Sequence, residues 1–271
     1  MRNIWGINID DLSWADLKMR VAGWMETGEA KVITTPNAEI LLGSRVSKAL
    51  KVDLIAADLS LPDTFSVELA LASAGTPLEH GRKPGVDALL ALAEVASEKG
   101  VQVAVVGSSE LVVGKAIQVM IAKHPLLKIE WVDAGEVPTN FTEPDRGIIE
   151  RIDAIMAGFV IVALGQGKQE RFMQVYKNSV QRSAVWMGVG GALEMIGGSI
   201  RRAPKAWQAL GLEWAWRLLM QPSRLKRILD ATIRFPLLIV SDRLKDRQFL
   251  VGVARVFRYL LHYYGQNTHR T

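Results

Sequence analysis

The chain has 271 residues and no cysteine, which excludes disulfides, thiolate nucleophiles and zinc–thiolate sites. Its formal charge of +5 is unevenly spread: residues 201–271 carry fourteen Lys/Arg against four Asp/Glu, whereas residues 1–200 carry nineteen against twenty-four. Nearly half of the residues are hydrophobic, enough for one large α/β core with or without an appended module, and no apolar run reaches the roughly 18 residues needed to cross a bilayer.

The first ten residues lack the apolar stretch of a secretory signal, which predicts a cytoplasmic protein whose membrane contact, if any, is peripheral. Short β-branched runs then alternate with segments of helical period. The pattern predicts strands near 32–35, 52–57, 101–106, 127–132, 159–164 and 184–189, with helices over 38–50, 86–99, 111–123, 145–156 and 169–179. Strands this apolar on both faces, separated by helices, predict a doubly wound, Rossmann-like, mostly parallel sheet over residues 1–200. Residues 201–271 predict a basic, aromatic, mainly helical appendage, with one amphipathic helix over 249–264.

Ligands of such sheets sit outside the carboxyl ends of the strands. The polar and glycine-rich loops expected there are Thr34-Thr-Pro-Asn-Ala-Glu39, Ala57-Asp-Leu-Ser-Leu-Pro-Asp63, Gly107-Ser-Ser-Glu110, Gly165-Gln-Gly-Lys-Gln-Glu170 and Gly188-Val-Gly-Gly191. Thr35 and Asn37 also suit the N-cap of the helix that starts at Ala38. The sequence holds neither a complete dinucleotide fingerprint nor a phosphate-binding Gly-x-x-x-x-Gly-Lys loop.

In order and spacing, several stretches resemble the WecG/TagA/CpsF family of bacterial glycosyltransferases, glycosyltransferase family 26. They are Thr35-Pro-Asn-Ala-Glu39, Pro62-Asp63, Arg82-Lys-Pro-Gly-Val-Asp87, Ala163-Leu-Gly-Gln-Gly-Lys-Gln-Glu170, Gly188-Val-Gly-Gly191, Arg202-Ala-Pro-Lys205 and Leu212-Glu-Trp-Ala-Trp-Arg217. The likeness runs over about residues 30–227. It implies inverting transfer of a sugar, N-acetylmannosamine-type or another hexose, from a UDP-sugar to a polyprenyl-diphosphate-linked acceptor in cell-envelope polysaccharide or teichoic acid synthesis.

The resemblance implies Asp63 as the base that takes the acceptor proton, with Asp58 as the alternative carboxylate. It implies Thr35, Asn37, Arg82, Gln169 and Glu194 around the donor, and Arg217, Arg224 and Arg227 on the diphosphate. No Asp-x-Asp motif and no histidine cluster occurs, His269 standing two residues from the end. Arginines are the economical substitute for a metal, since guanidinium grips phosphate oxygens in bidentate fashion, so neither metal nor cofactor is expected. A solvated basic face is the plainer account of the same arginines, and Pro222 interrupts the helix that would align them.

Three departures stand out. Thr64 and Phe65 follow Asp63 where the family has glycines, adding bulk beside the cleft. Glu194 stands for an aspartate, and Gln166-Gly167 replaces the usual residue-Pro. The first admits a second expectation, a nucleotide-sugar-binding or scaffold protein with impaired turnover.

The appendage, with Trp207, Trp214, Trp216, Phe235, Phe249, Phe257, Tyr259, Tyr263 and Tyr264 among its arginines, predicts docking on an anionic membrane surface. Packing on the body or in a homo-oligomer is the competing use of those aromatics. Nucleic acid, which the basic pI permits, ranks behind both and is not expected as a partner.

Overall fold

The computed structural model describes residues 2–267; Met1 and residues 268–271, His269 among them, lie outside it. A two-strand antiparallel hairpin, β1 (Asn3–Ile4) and β2 (Ile7–Asn8), leads into α1 (Trp14–Thr27). Next come β3 (Lys31–Thr34), α2 (Ala38–Val46), α3 (Lys48–Ile55), β4 (Leu59–Ser60), α4 (Phe65–Ala74) and α5 (Gly85–Glu98). A regular alternation follows, with β5 (Gln102–Gly107), α6 (Glu110–Lys123), β6 (Lys128–Val132), α7 (Arg146–Ile155), β7 (Phe159–Ala163), α8 (Lys168–Tyr176), β8 (Val185–Gly188) and α9 (Ala192–Ile196).

Strands β3 to β8 pair in parallel throughout, in the order β4-β3-β8-β7-β5-β6. Alternate residues face opposite sides, which is why the inner strands β5, β7 and β8 are apolar at nearly every position, whereas the edge strand β6 exposes Lys128 and Glu130. Val103, Val105, Phe159, Ile161 and Met187 pack toward α1, α5 and α6, while Ala104, Val106, Val160, Val162 and Trp186 pack toward α7 and α8. The doubly wound Rossmann-like expectation is thus met. A third cluster, built on Ile4, Ile7, Leu41, Leu71 and Phe235, joins the hairpin to α2 and α4 beside the sheet.

Two expected elements are corrected. The strand expected at 52–57 is the end of α3, and the helix expected over 38–50 divides at Ser47, whose hydroxyl accepts from Leu50 N–H at 3.2 Å. Val52 and Ile55, which made the run look like a strand, are exposed. The second sheet strand is the two-residue β4, which starts after Asp58. Asp58 therefore sits at the amino end of the sheet, accepting from Val32 N–H at 2.9 Å and pairing with Lys31 at 3.3 Å. Its alternative role as base is removed, because the loops that meet a ligand are at the other edge.

Beyond the sheet lie α10 (Lys205–Ala209), α11 (Glu213–Met220), a 3₁₀ turn at Pro222–Arg224, α12 (Leu225–Leu229), α13 (Phe235–Lys245) and α14 (Phe249–Asn267). A π-turn at Asp230–Arg234 joins α12 to α13, with Phe235 N–H reaching back to the Asp230 carbonyl. The following Pro236 has no N–H to continue a regular ladder. The amphipathic helix expected over 249–264 is α14.

Only part of this segment is anchored by packing. Phe235 is buried beneath the Trp5 ring, and Trp5 Nε1 donates to Asp242 at 2.7 Å. Among the described residues, Ala203, Ile228 and Phe235 are the only buried hydrophobic residues after position 200. By contrast, seventeen of the twenty-six exposed large hydrophobics belong to it, Leu219, Leu237, Leu250, Phe257 and Leu261 among them. No described helix is long and apolar enough to cross a membrane.

Candidate active site

β3 and β8 lie side by side although they come from opposite ends of the chain order, so a crevice opens where their carboxyl ends separate. Thr35 and Asn37 leave β3, Asp63 follows β4, Gln166 follows β7 and the Gly188–Gly191 turn follows β8. A cavity of about 320 Å³ beside this edge is lined by Asn37, Asp63, Phe65, Arg82, Arg201 and Arg217, among others.

Asp63 is not the cap of α4. Thr64 holds that position, and Asp63 Oδ1 instead accepts from Gly85 N–H at 2.8 Å, across the cavity mouth. Burial pushes its carboxyl up; Gly85 N–H, Arg217 and Arg82 pull it down, and Glu213 adds to the rise. The result is a carboxylate that binds a proton more readily than an exposed one while keeping an oxygen toward the pocket.

The loop that supplies Gly85 is rigid for readable reasons. Lys83 N–H donates to Pro62 O at 2.7 Å, and its buried ammonium donates to the His80 and Gly81 carbonyls at 2.8 and 2.9 Å. Arg82, next to it, has its guanidinium engaged by Glu213 and by Gln208 O at 2.6 Å. Arg202 grips Asp87 through two 2.6 Å bonds. Two of the motifs noted in the sequence, around 82–87 and 202–217, thus hold each other across the pocket.

On the β3 side of the edge, Asn37 serves two purposes. Its Oδ1 caps α2 through Ile40 N–H at 3.1 Å and accepts from Gln166 Nε2 at 3.0 Å. Thr35 Oγ1 lies 3.5 Å from Gly188 O. Gln169 is almost wholly buried: its amide donates to Glu170 at 2.8 Å and its oxygen accepts from Gly190 N–H at 2.9 Å. It shapes the Gly188–Gly191 turn from beneath. A Cβ on Gly188 would come within 2.9 Å of that amide, so the position tolerates no side chain without moving it.

Glu194 leaves Oε2 buried with no hydrogen-bond partner, aimed near Gly191. Such an acceptor is costly to leave unpaired, so it is suited to a donor group on a ligand.

Residues 2–249 match the model of the Glycosyl transferase WecG/TagA/CpsF family. The chain belongs to that family. It is therefore placed among glycosyl transferases, and the edge just described is the part of the fold where such chemistry has room.

Three arginines of the C-terminal segment converge on this edge although the chain turns at Gln221 between α11 and the 3₁₀ turn. Arg217 lines the cavity, 3.8 Å from the Met195 sulfur, and its charge acts on Asp63. Arg227 pairs with Glu39 at 2.6 Å and donates to Gln166 at 3.3 Å. Arg224 is half-buried, and desolvation followed by repulsion from Arg227 and Arg217 pushes its guanidinium down, against the pull of Glu39 and Glu194. Positive charge is in local excess here, which is the electrostatic signature of an anion site.

Five participants in the site escaped the sequence reading. Glu213 and Asp87 lay inside quoted motifs but had no partner visible in sequence. Tyr263 packs at a tilt against Phe65, ring centroids 5.0 Å apart, and the Tyr259 hydroxyl faces the buried Glu68 carboxylate, whose Oε1 accepts from Arg82 N–H at 2.8 Å. Phe65, the bulky departure after Asp63, is thereby clasped by Tyr263 and by Gly211, where a Cβ would come within 2.6 Å of the ring. Its bulk joins the C-terminal helices to the Asp63 loop.

Proposed function

We propose that this protein is an inverting, metal-independent glycosyltransferase that moves a sugar from a UDP-sugar to a polyprenyl-diphosphate-linked acceptor in cell-envelope polymer synthesis. The observation that carries this reading is the crowding of Arg217, Arg224 and Arg227 beside the Asp63 pocket, where burial first, and repulsion from Arg227 and Arg217 second, push the Arg224 guanidinium down. Such a cluster is poorly placed unless an anion of high charge density enters between its members.

In this reading the acceptor hydroxyl gives its proton to Asp63 as its oxygen attacks the anomeric carbon from the face opposite the diphosphate. The bond from that carbon to the diphosphate oxygen breaks, and UDP leaves with the electron pair. Arg217 and Arg224 receive the growing charge in a low-dielectric cleft, where fixed cations stabilise it without reorganisation. Glu194 Oε2 accepts from a donor hydroxyl, and Asn37 with Thr35 borders the nucleotide. Arg82 and Gln169 act by positioning, since their polar atoms are engaged within the protein.

Residues 1–200 form the catalytic body in this scheme, and residues 201–271 complete the site while docking on the inner face of an anionic membrane. Each basic side chain near such a surface contributes roughly 1 kcal/mol, and the exposed leucines of α13 and α14 contribute apolar burial. The test is a panel of UDP-sugars assayed for UDP release with polyprenyl-diphosphate-linked acceptors on anionic vesicles. Acceptor-dependent release with at least one donor is expected. Tight UDP binding without release for every pair would favour the binding or scaffold alternative that the Thr64-Phe65 departure raised.

A further inference from the structure

A second cavity, of about 380 Å³, runs between α4, α13 and α14. Ser66, Leu69 and Pro236 line it and the Asp63 cavity alike, so the two are adjoining chambers. The second is walled by apolar side chains, with Ile239, Val253, Val256 and Leu260 among them. Its hydroxyls are already used: Ser73 Oγ donates to Ala70 O at 2.7 Å, and Ser66 Oγ lies 3.1 Å from Thr64 Oγ1. Nothing in it except Arg243, at one wall, offers polar recognition.

The groove owes its shape to how α14 is held. The helix runs antiparallel to α4, pinned at one end by Tyr263 on Phe65 and at the other by Gly252, where a Cβ would lie 3.4 Å from Ser73 O. On the third side, the π-turn and Pro236 set the start of α13. Between Ser66 and Ser73, α4 covers roughly 10 Å at the helical rise of 1.5 Å per residue. At the far mouth, Val253 and Phe257 line the groove and are also exposed, beside the exposed Leu250 and Leu261.

One chamber is therefore charged, with Arg201 and Arg217 in its wall beside Asp63 and Glu213, and the next is apolar and opens onto the apolar face of α14. That sequence of surfaces complements an amphiphile whose anionic head sits at the first chamber and whose hydrocarbon chain enters the second. We propose that the groove between α4, α13 and α14 seats the first part of the hydrocarbon chain of the acceptor, leading it from Asp63 to the bilayer without passing through water. This rests on the reading of the acceptor as lipid-linked. The occupant is the acceptor's own chain, rather than a second copy of this protein, because the groove is continuous with the catalytic chamber and a protein surface has no narrow apolar element to thread from it.

The test uses the full chain and farnesyl diphosphate carrying a diazirine at the end of its hydrocarbon chain. After irradiation, labelled peptides are mapped by mass spectrometry with and without excess unlabelled farnesyl diphosphate. Competable label is expected on residues 69–73 and 253–260, and Val256→Trp, which fills the groove, is expected to lower it about tenfold, equivalent to about 1.4 kcal/mol of binding. Competable label confined to other surfaces, or to cross-links between two copies, would overturn the groove while leaving the lipid-linked acceptor intact. Absence of any competable label would remove both.

Discussion

The sheet body and the C-terminal helices meet at one pocket but are built on opposite terms. In the body, polar groups around the crevice are largely satisfied from within: Asn37 by Ile40 and Gln166, Gln169 by Glu170 and Gly190, Lys83 by two carbonyls. In the helices beyond residue 200, Arg224 stands close enough to Arg227 and Arg217 to be repelled by both, and many leucines face outward. Burial of Ile228 and Phe235, worth about 1.5–3 kcal/mol each, is small against the entropy of ordering so long a segment. Much of the segment's apolar and basic surface thus faces outward, and the proposed function assigns it to an anion at one end and an apolar surface along the other.

The sharpest way to break this contrast is at Asp63, whose carboxylate lines the pocket. Asp63→Asn should lower UDP release by a factor of about 10²–10⁴, the usual range for a general base, while titration with UDP shows binding retained. Because burial raises the Asp63 carboxyl, the acid limb of the wild-type rate profile should lie above the ordinary aspartate range near pH 3.9. Activity requires the ionised form, so the rate falls as pH drops through that limb.

On the segment's side, Leu250→Asp with Leu261→Asp should weaken co-sedimentation with anionic vesicles by about 100-fold, the loss of two apolar anchors at about 1.4 kcal/mol per tenfold. Unchanged sedimentation would mean that these exposed leucines meet something other than lipid.

The smallest effect belongs to the body's own interior. Burial pushes Glu170 up from 4.5 to about 7, opposed by the Gln169 amide and Gly167 N–H. Between those values the folded protein holds a proton that the unfolded chain has released, so stability falls as pH rises through the window and levels off above it. Thermal unfolding between pH 5 and 8 should lose on the order of 1–3 kcal/mol. In Glu170→Gln that slope should vanish, and a slope equal to wild type would assign it elsewhere.

The same contrast explains what could be read from sequence. The parallel sheet was legible because strands such as β5 and β7 are apolar on both faces, a pattern that burial on two sides imposes. Asp63, Asn37, Arg82 and Arg217 were legible as pocket residues through short motifs that resemble one family. The run at 52–57 misled because a short apolar stretch carries no period that separates a strand from a helix end, and β4 and the β1–β2 hairpin are too short to leave any pattern. Helix α1 did leave one: Ser13, whose hydroxyl accepts from Asp16 N–H, precedes Leu17, Val21 and Met25 at helical spacing. Pairings between distant motifs, Arg82 with Glu213 and Arg202 with Asp87, were invisible because nothing local in sequence encodes them.

The central claim is that the C-terminal arginines act in the reaction and not only at a membrane. It is tested most directly by Arg217→Ala/Arg224→Ala/Arg227→Ala, assayed for UDP release with a short-chain, water-soluble acceptor and no vesicles present. A fall of about 100-fold or more is predicted, as expected when cations that stabilise a leaving diphosphate are removed. Turnover equal to wild type would contradict the account and leave the segment as an anchor alone.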